Sequence, residues 1–123
     1  MARILVIDDN YSIRHVLATC LPTVGHSVSV AEDGKVGLEM ASGLSTDLIL
    51  LDVDMPRLGG IAVCESLKRD PTRCHIPVLM MTGNLNREVL SDAKRAGALA
   101  VLSKPFTWDQ LEMEFNRYLP TGV

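Results

Sequence analysis

The fold is decided by the stretch Leu48-Ile49-Leu50-Leu51-Asp52, in which four apolar residues run without a break to a carboxylate. A short continuous apolar run of this kind is typical of a central strand that is buried on both faces of a parallel sheet. Other short apolar runs stop in the same way, at Asp8 with Asp9, at Thr82 and just before Lys104. Because the carboxyl ends of parallel strands lie along one edge of a sheet, these polar residues are expected to converge there.

Predicted strands and helices alternate along the chain. The strands are residues 3–7, 27–30, 48–51, 77–81 and 98–102, and the alternating pattern of the second indicates an edge strand. Apolar residues recur at helical spacing after each strand. These residues are Ile13, Val16, Leu17, Cys20, Leu21 and Val24, then Gly37, Leu38 and Ala41, then Ile61, Cys64 and Leu67, then Val89, Ala93 and Ala96, and finally Leu111, Phe115, Tyr118 and Leu119. Five (βα) repeats with long crossovers predict an α/β fold with a doubly wound, five-stranded parallel sheet.

Several helix boundaries carry capping signals. Asn10 is a predicted N-cap, and Pro22 should weaken or end the first helix. Gly43 occupies the position expected for the C-cap of the second helix. Thr107 and Gln110 have the spacing of a capping box and mark the start of the last helix.

Length and composition exclude several classes of protein. The chain has 123 residues, 47% of them hydrophobic and 22% charged, with a net charge of -3, so we expect one globular domain over residues 1–123 that does not bind nucleic acid directly. No apolar run approaches the roughly 18 residues of a membrane span, and the N-terminal run is too short for a signal peptide. The three cysteines lack CxxC spacing, which indicates neither a disulfide framework nor a zinc site. His15, His26 and His75 have no partners at ligand spacing and are expected at the surface or partly buried. A soluble, cytoplasmic protein is predicted.

The residues at the strand ends form a chemically consistent set. Asp8, Asp9 and Asp52 supply carboxylates, Thr82 a hydroxyl and Lys104 an ammonium. Hard divalent cations prefer oxygen ligands, while hydroxyl and ammonium groups can contact phosphoryl oxygens. The set therefore suits a divalent cation beside a phosphoryl group.

Four segments together resemble the receiver domain of two-component response regulators, typified by the bacterial chemotaxis receiver. They are Ile7-Asp8-Asp9, residues 50–60, Met81-Thr82-Gly83 and Ser103-Lys104-Pro105-Phe106, and each follows a predicted strand in the order that the family requires. The resemblance covers essentially the entire chain. It implies a flavodoxin-like three-layer sandwich with strand order 2-1-3-4-5. The leading interpretation is a stand-alone receiver with no output domain, and a receiver that is part of a longer protein is the alternative that the sequence leaves open.

The resemblance implies that Asp52 accepts a phosphoryl group from a phosphohistidine on a sensor histidine kinase or a histidine phosphotransfer protein. Mg²⁺ is the implied cofactor, held by Asp8, Asp9, Asp52 and the backbone carbonyl of Asp54. The chemistry agrees with this assignment, because a carboxylate that attacks an anionic phosphoryl group needs charge neutralisation and in-line positioning.

The resemblance also implies roles around the phosphoryl group. Lys104 supplies positive charge to one oxygen, the Thr82 hydroxyl donates to another, Gly83 leaves room, and Asn84 is a modulating position. The peptide bond between Lys104 and Pro105 is expected to be cis. The protein is then a switch that assists its own phosphorylation and dephosphorylation rather than an enzyme acting on a separate substrate, and a downstream effector reads the surface of the fourth helix, fifth strand and fifth helix.

The chain departs from the family pattern at two positions. Val101 stands where many receivers have an aromatic residue that rotates inward when the switch threonine moves, so the chain lacks the ring on which that coupling depends. Asp54 adds a fourth carboxylate, whose charge is expected to repel an anionic phosphodonor but also to favour a nearby cation or orient a hydrolytic water. We therefore predict that Asp54→Asn changes metal affinity and phosphoryl lifetime.

Two alternatives come from other functional classes. Asp52-Val53-Asp54 also resembles the nucleophile and acid/base pair of haloacid-dehalogenase-type phosphatases, but Pro56 stands where those enzymes favour Thr or Val, and Asp8-Asp9 precede the nucleophile instead of following it. The second alternative is a binding module that keeps the receiver fold and works without phosphorylation, which Val101 alone favours. Trp108, at the start of the last helix, is predicted either as a lid over the helix end or as a partner anchor.

Overall fold

The computed structural model describes residues 1–119, in which five strands and five helices alternate. They are β1 (Arg3–Ile7), α1 (Tyr11–Cys20), β2 (Ser27–Ala31), α2 (Gly34–Met40), β3 (Leu48–Asp52), α3 (Gly60–Arg69), β4 (Val78–Thr82), α4 (Arg87–Ala96), β5 (Ala100–Ser103) and α5 (Trp108–Tyr118). The strands form one parallel sheet in the order β2-β1-β3-β4-β5. The predicted fold class is therefore confirmed. The last four residues of the predicted domain 1–123 lie outside the described residues.

The strand register aligns the carboxyl ends of the sheet. β3 is the central strand, and all five of its residues are buried. The paired positions at this edge are Ile7 with Leu51, Asp52 with Met81, and Thr82 with Ser103. Since the chain leaves β1, β3, β4 and β5 at the same level, the polar residues that follow these strands are placed side by side.

The hydrophobic core has two parts, one on each face of the sheet. One part packs beneath α2, α3 and α4 and includes Ile49, Leu51, Val63, Leu67 and Met80. The other packs beneath α1 and α5 and includes Leu17, Leu50, Leu79, Leu111 and Phe115. Successive strand residues point to opposite faces, so the continuous apolar strands supply both parts at once.

Most predicted helix ends are confirmed by hydrogen bonds. The Asn10 side chain accepts from the Ile13 N–H at 3.1 Å, and both bonds of the capping box between Thr107 and Gln110 are present. Gly43 is not the C-cap of α2, because the helix ends at Met40 and Ala41 is its C-cap. A Cβ atom at position 43 would overlap the backbone carbonyl of Thr72, so this glycine is needed for a close approach between two loops.

Two apolar residues predicted on the core face of the first helix are exposed. Val16 is 53% exposed and Val24 is 51% exposed, whereas Leu17 and Leu21 are buried. The core stripe of α1 is narrow because the helix contacts the sheet along one row of side chains. After Cys20 the chain continues as a 3₁₀ helix, Leu21–Val24, where the α-helical spacing no longer applies.

Other predictions concern the surface of the molecule. β2 is an edge strand with Ser27, Ser29 and Val30 exposed, as predicted. Trp108 is half-buried and packs against the core part beneath α1 and α5, which favours the lid over the partner anchor. Within residues 1–119, the structure contains no helix of the length and hydropathy that a membrane crossing requires.

We expect Gly60→Ala to lower the free energy of unfolding by about 1–3 kcal/mol, measured by urea denaturation. A Cβ atom at this position, the first residue of α3, would overlap the backbone carbonyl of Asp52, and this strain outweighs the better helix propensity of alanine. Gly83→Ala is the matched control, because a Cβ there meets no atom within 4 Å and the change should stay within about 0.5 kcal/mol. Equal effects of the two substitutions would contradict the predicted clash.

Candidate functional site

Three carboxylates converge at the carboxyl edge of the sheet. Asp8 and Asp9 follow β1, and Asp52 ends β3. Each offers one carboxylate oxygen, and these oxygens lie within 4.8 Å of one another. Asp8 and Asp52 are buried, whereas Asp9 is exposed. Like charges at this distance repel strongly unless a cation lies among them.

The Lys104 side chain supplies a positive charge to two of these carboxylates. Its Nζ lies 2.7 Å from Oδ2 of Asp8 and 3.3 Å from Oδ1 of Asp52. Burial opposes the ammonium charge, but the hydrogen bond to Asp8 and the charges of Asp52 and Asp8 outweigh it and raise the pKa of Lys104. The backbone N–H of Lys104 donates to the carbonyl of Thr82 at 2.7 Å, and the peptide bond to Pro105 is cis.

The Asp52 carboxyl has a perturbed acidity. Burial and the neighbouring charge of Asp8 raise its pKa from 3.8 to about 7. The backbone N–H of Asp54, which donates to Oδ1 of Asp52 at 3.1 Å, and the Lys104 ammonium oppose this rise without cancelling it. The hydrogen bond from the Asp54 N–H and the ion pair with Lys104 are both made to Oδ1 of Asp52. A perturbed group of this kind is more common at functional sites than elsewhere.

Arg14 takes part in the site although the sequence analysis did not identify it. Its Nη1 donates to the backbone carbonyl of Asp8 at 2.7 Å, while the Asn10 N–H donates to Oδ1 of Asp8 at 2.9 Å. These two bonds fix the loop that carries the acid pair. The available signal was a basic residue one helical turn after the N-cap of α1, on the side of the helix that faces back to the loop.

The Thr82 hydroxyl lies beside the carboxylate cluster and contacts a fourth acid. Thr82 is buried, and its Oγ1 donates to Oδ2 of Asp54 at 2.8 Å. The same oxygen accepts from the Asn84 backbone N–H at 3.2 Å. Gly83 borders open space, since a Cβ atom there would meet nothing within 4 Å. Thr82, Asp54 and Asn84 thus form one hydrogen-bonded unit that the sequence did not indicate.

Val101 lies below this unit rather than within it. It pairs with Met80 in the sheet and packs, partly buried, against the core beneath α2, α3 and α4. By strand alternation Val101 and Thr82 point to the same face of the sheet. The structure therefore brings together Asp8, Asp9, Asp52 and Lys104, places Thr82 and Asp54 next to them, and leaves Val101 as an apolar neighbour.

The histidines contribute to packing and to the surface. His15 is exposed and stacks on Tyr11, and His75 is exposed near the carbonyl of Gly43. His26 is partly buried, where its Nδ1 accepts from the Ala2 N–H at 3.1 Å. The prediction of surface or partly buried histidines is confirmed.

Comparisons with known proteins agree with this geometry. The family model of the response regulator receiver domain matches residues 4–116. The chain is 42% identical over 104 residues to the response regulator PleD of Caulobacter vibrioides, covering 85% of this chain and 23% of PleD. It is 32% identical over 117 residues to the regulatory protein AtoC of Escherichia coli, covering 95% of this chain and 25% of AtoC. Its structure is similar to that of the Vibrio cholerae chemotaxis protein CheY4, with a TM-score of 0.90, 32% identity, and coverage of 97% of this chain and 99% of that chain.

The chain therefore belongs to the family of response regulator receiver domains, which are signalling switches of two-component systems. Response regulators interact with kinases and effectors, and receiver domains generally bind Mg²⁺ at an acidic pocket. The chain spans about a quarter of the length of PleD and of AtoC. Membership of this family disfavours the alternative of a haloacid-dehalogenase-type phosphatase.

We expect Asp52→Asn to stabilise the metal-free protein above pH 7, by an amount of up to about 4 kcal/mol. The raised pKa of Asp52 means that the folded state holds a proton which the unfolded state releases near pH 3.8, so wild-type stability falls as the pH rises from about 4 to about 7. The side chain of the asparagine variant does not titrate, so its stability does not fall for this reason as the pH rises. Urea unfolding of both proteins across this pH range, in a chelating buffer, measures the difference.

Asp47→Asn is a control of opposite sign. The backbone hydrogen bond from Arg3 lowers the pKa of Asp47, so its contribution to stability is present at neutral pH and is lost as the pH falls. We expect Asp47→Asn to lower the free energy of unfolding at neutral pH, and we expect its difference from the wild type to become smaller as the pH falls. A difference for Asp52→Asn that does not vary between pH 4 and 7 would contradict the raised pKa.

Proposed function

We propose that the protein is a phospho-acceptor switch in which Asp52 takes a phosphoryl group from a histidine of a partner kinase or phosphotransfer protein. One observation carries the proposal: a buried carboxylate with a raised pKa contacts a lysine ammonium and lies within reach of two further acids. This set of groups can neutralise negative charge as the carboxylate and the phosphoryl group approach each other. Repulsion between these two anions is the main difficulty in transferring a phosphoryl group to a carboxylate.

The donor set fits Mg²⁺. Asp8, Asp9 and Asp52 offer three oxygens close together, and we propose the backbone carbonyl of Asp54 as a further ligand. Oxygen-only sites with carboxylates and waters suit this ion. When bound, Mg²⁺ supplies charge neutralisation and orientation to the phosphoryl oxygens. Mg²⁺ would also offer a partner to the ionised Asp52, which would compensate for the burial and the repulsion from Asp8 that raise the pKa of Asp52.

The residues of this chain have distinct tasks in the transfer. An oxygen of Asp52 forms the new P–O bond in line with the P–N bond to the donor histidine, which breaks and leaves its electron pair on the imidazole nitrogen. Oδ2 is suited to this attack, because the contacts from Asp54 N–H and from Lys104 fall on Oδ1. The Lys104 ammonium is close enough to transfer its contact from Asp52 to a phosphoryl oxygen, and the buried Thr82 hydroxyl can donate to another.

Phosphorylation is proposed to bias a two-state equilibrium that an effector reads at the surface of α4, β5 and α5. Leu99 and Met113 expose apolar side chains next to and on these elements, at 44% and 55%. Such residues offer contact area for a protein partner. The cytoplasmic location stays a prediction.

The test is intact-mass spectrometry after incubation with Mg²⁺ and acetyl phosphate, for the wild type and for Asp52→Asn. We expect one labile phosphoryl adduct on the wild type and none on the variant, because the amide is not a nucleophile for phosphorus. Adding a chelator should abolish the adduct. The variant keeps the size of the side chain, so the comparison isolates the carboxylate.

An adduct of equal yield on Asp52→Asn would reject Asp52 as the acceptor. No adduct on a folded wild-type protein that binds Mg²⁺, with acetyl phosphate or with a histidine kinase, would favour the receiver fold used without phosphorylation. Turnover of a phosphomonoester would instead favour the alternative of a haloacid-dehalogenase-type phosphatase.

A further inference from the structure

The Thr82 hydroxyl is already engaged in the unphosphorylated protein. It donates to Oδ2 of Asp54 at 2.8 Å. We infer that the Asp54 carboxylate competes with the phosphoryl group for this hydroxyl and thereby holds the switch in its unphosphorylated state. The inference rests on the proposed function and adds a positioning residue to it.

The competition follows from the chemistry of a hydroxyl. Thr82 has one O–H proton, so its hydroxyl can donate to Asp54 or to a phosphoryl oxygen but not fully to both. The bond to a carboxylate is charge-assisted and stronger than one to a neutral acceptor. The Thr82 side chain is buried, which limits the access of water to its hydroxyl, whereas the Asp54 carboxylate at the other end of the bond is exposed. A stronger acceptor that reaches the hydroxyl therefore favours its release from Asp54.

Asp54 is held in position by the same turn that carries the phospho-acceptor. Its N–H donates to Oδ1 of Asp52 at 3.1 Å, and its side chain reaches across to β4. Thr82 Oγ1 also accepts a hydrogen bond from the Asn84 N–H at 3.2 Å. Thr82 thus bridges the loop after β3 and the loop after β4, and rotation of its hydroxyl changes the contacts of both loops.

The phosphoryl group would also act on Asp54 directly. It adds negative charge at Asp52, two residues away, and so repels the Asp54 carboxylate while attracting the Thr82 proton. Asp54 is already exposed, so it can turn into solvent once it loses its hydroxyl partner. Both effects favour a change of the Thr82 hydrogen-bond acceptor from Asp54 to the phosphoryl group. The hydroxyl therefore has two distinct arrangements, one bonded to Asp54 and one bonded to the phosphoryl group.

A double-mutant cycle separates this role from the effect of the Asp54 charge. The measurement is the affinity of the Mg²⁺-loaded protein for beryllofluoride, a phosphoryl mimic, in wild type, Asp54→Ala, Thr82→Val and the double variant. We expect Asp54→Ala to raise the affinity about tenfold in the presence of the hydroxyl, in keeping with the loss of one charge-assisted bond. With Thr82→Val the same substitution should have a several-fold smaller effect, because no hydroxyl remains to be released.

Two further variants serve as matched controls. Asp54→Asn removes the charge but keeps an oxygen that can accept from Thr82, so its effect should be smaller than that of Asp54→Ala. Thr82→Ser keeps the hydroxyl, so Asp54→Ala should retain its full effect in that background. If Asp54 acted only through its charge, Asp54→Asn and Asp54→Ala would be equal and the background at position 82 would not matter, which would overturn the inference.

A readout without metal or phosphate tests the ground state alone. The amide resonance of Asn84 reports on the bond to Thr82 Oγ1. In metal-free Asp54→Ala it should move part of the way toward its position in the beryllofluoride-bound wild type, and an unchanged resonance would overturn the inference. Failure of the wild type to bind beryllofluoride with Mg²⁺ would reject the proposed function itself, and the competition with it.

Discussion

The contact of the Lys104 ammonium with Asp8 and Asp52 is the interaction on which the site depends. Two buried carboxylates so close together are unfavourable without a cation, since neither water nor distance weakens their repulsion. One lysine with Nζ at 2.7 Å and 3.3 Å from the two acids makes the arrangement possible in the absence of metal. It does so incompletely, because burial and the charge of Asp8 still raise the pKa of Asp52 to about 7. The remaining electrostatic strain is available to favour a divalent cation.

The strand order explains why these groups meet. β1 and β3 are neighbours, so the acids that follow them lie side by side, and β4 and β5 are neighbours, so Thr82 and Lys104 do as well. The chain reverses its direction of winding between β1 and β3, and parallel α/β sheets bind ligands at such a position. The bond from the Lys104 N–H to the Thr82 carbonyl then ties together, at their backbones, the two residues that are proposed to contact the phosphoryl group.

Local signals in the sequence were sufficient for the architecture but not for all of the site. The buried run at 48–51 and the capping box at Thr107 report on their own neighbourhoods, and both predictions are confirmed. The prediction of Gly43 as a helix C-cap was wrong because this glycine is needed for a contact between two loops, which depends on distant residues. The prediction of Val16 on the core face was wrong because the width of a helix–sheet interface also depends on distant residues. The bond between Thr82 and Asp54 joins positions 28 residues apart and depends on side-chain rotamers, which no periodicity encodes.

Val101 limits how a change at Thr82 can spread. Its branched side chain has one rotatable bond and is packed against the core, so it has no ring that could turn between an exposed and a buried position. The backbone at Thr82 is tied to Lys104, which restrains β4 and β5 to move together. The loop that begins at Gly83 is exposed and borders open space, and its Asn84 N–H bonds to the Thr82 hydroxyl. Rearrangement of that hydroxyl is therefore transmitted more readily to this loop and to the start of α4 than through the position of Val101.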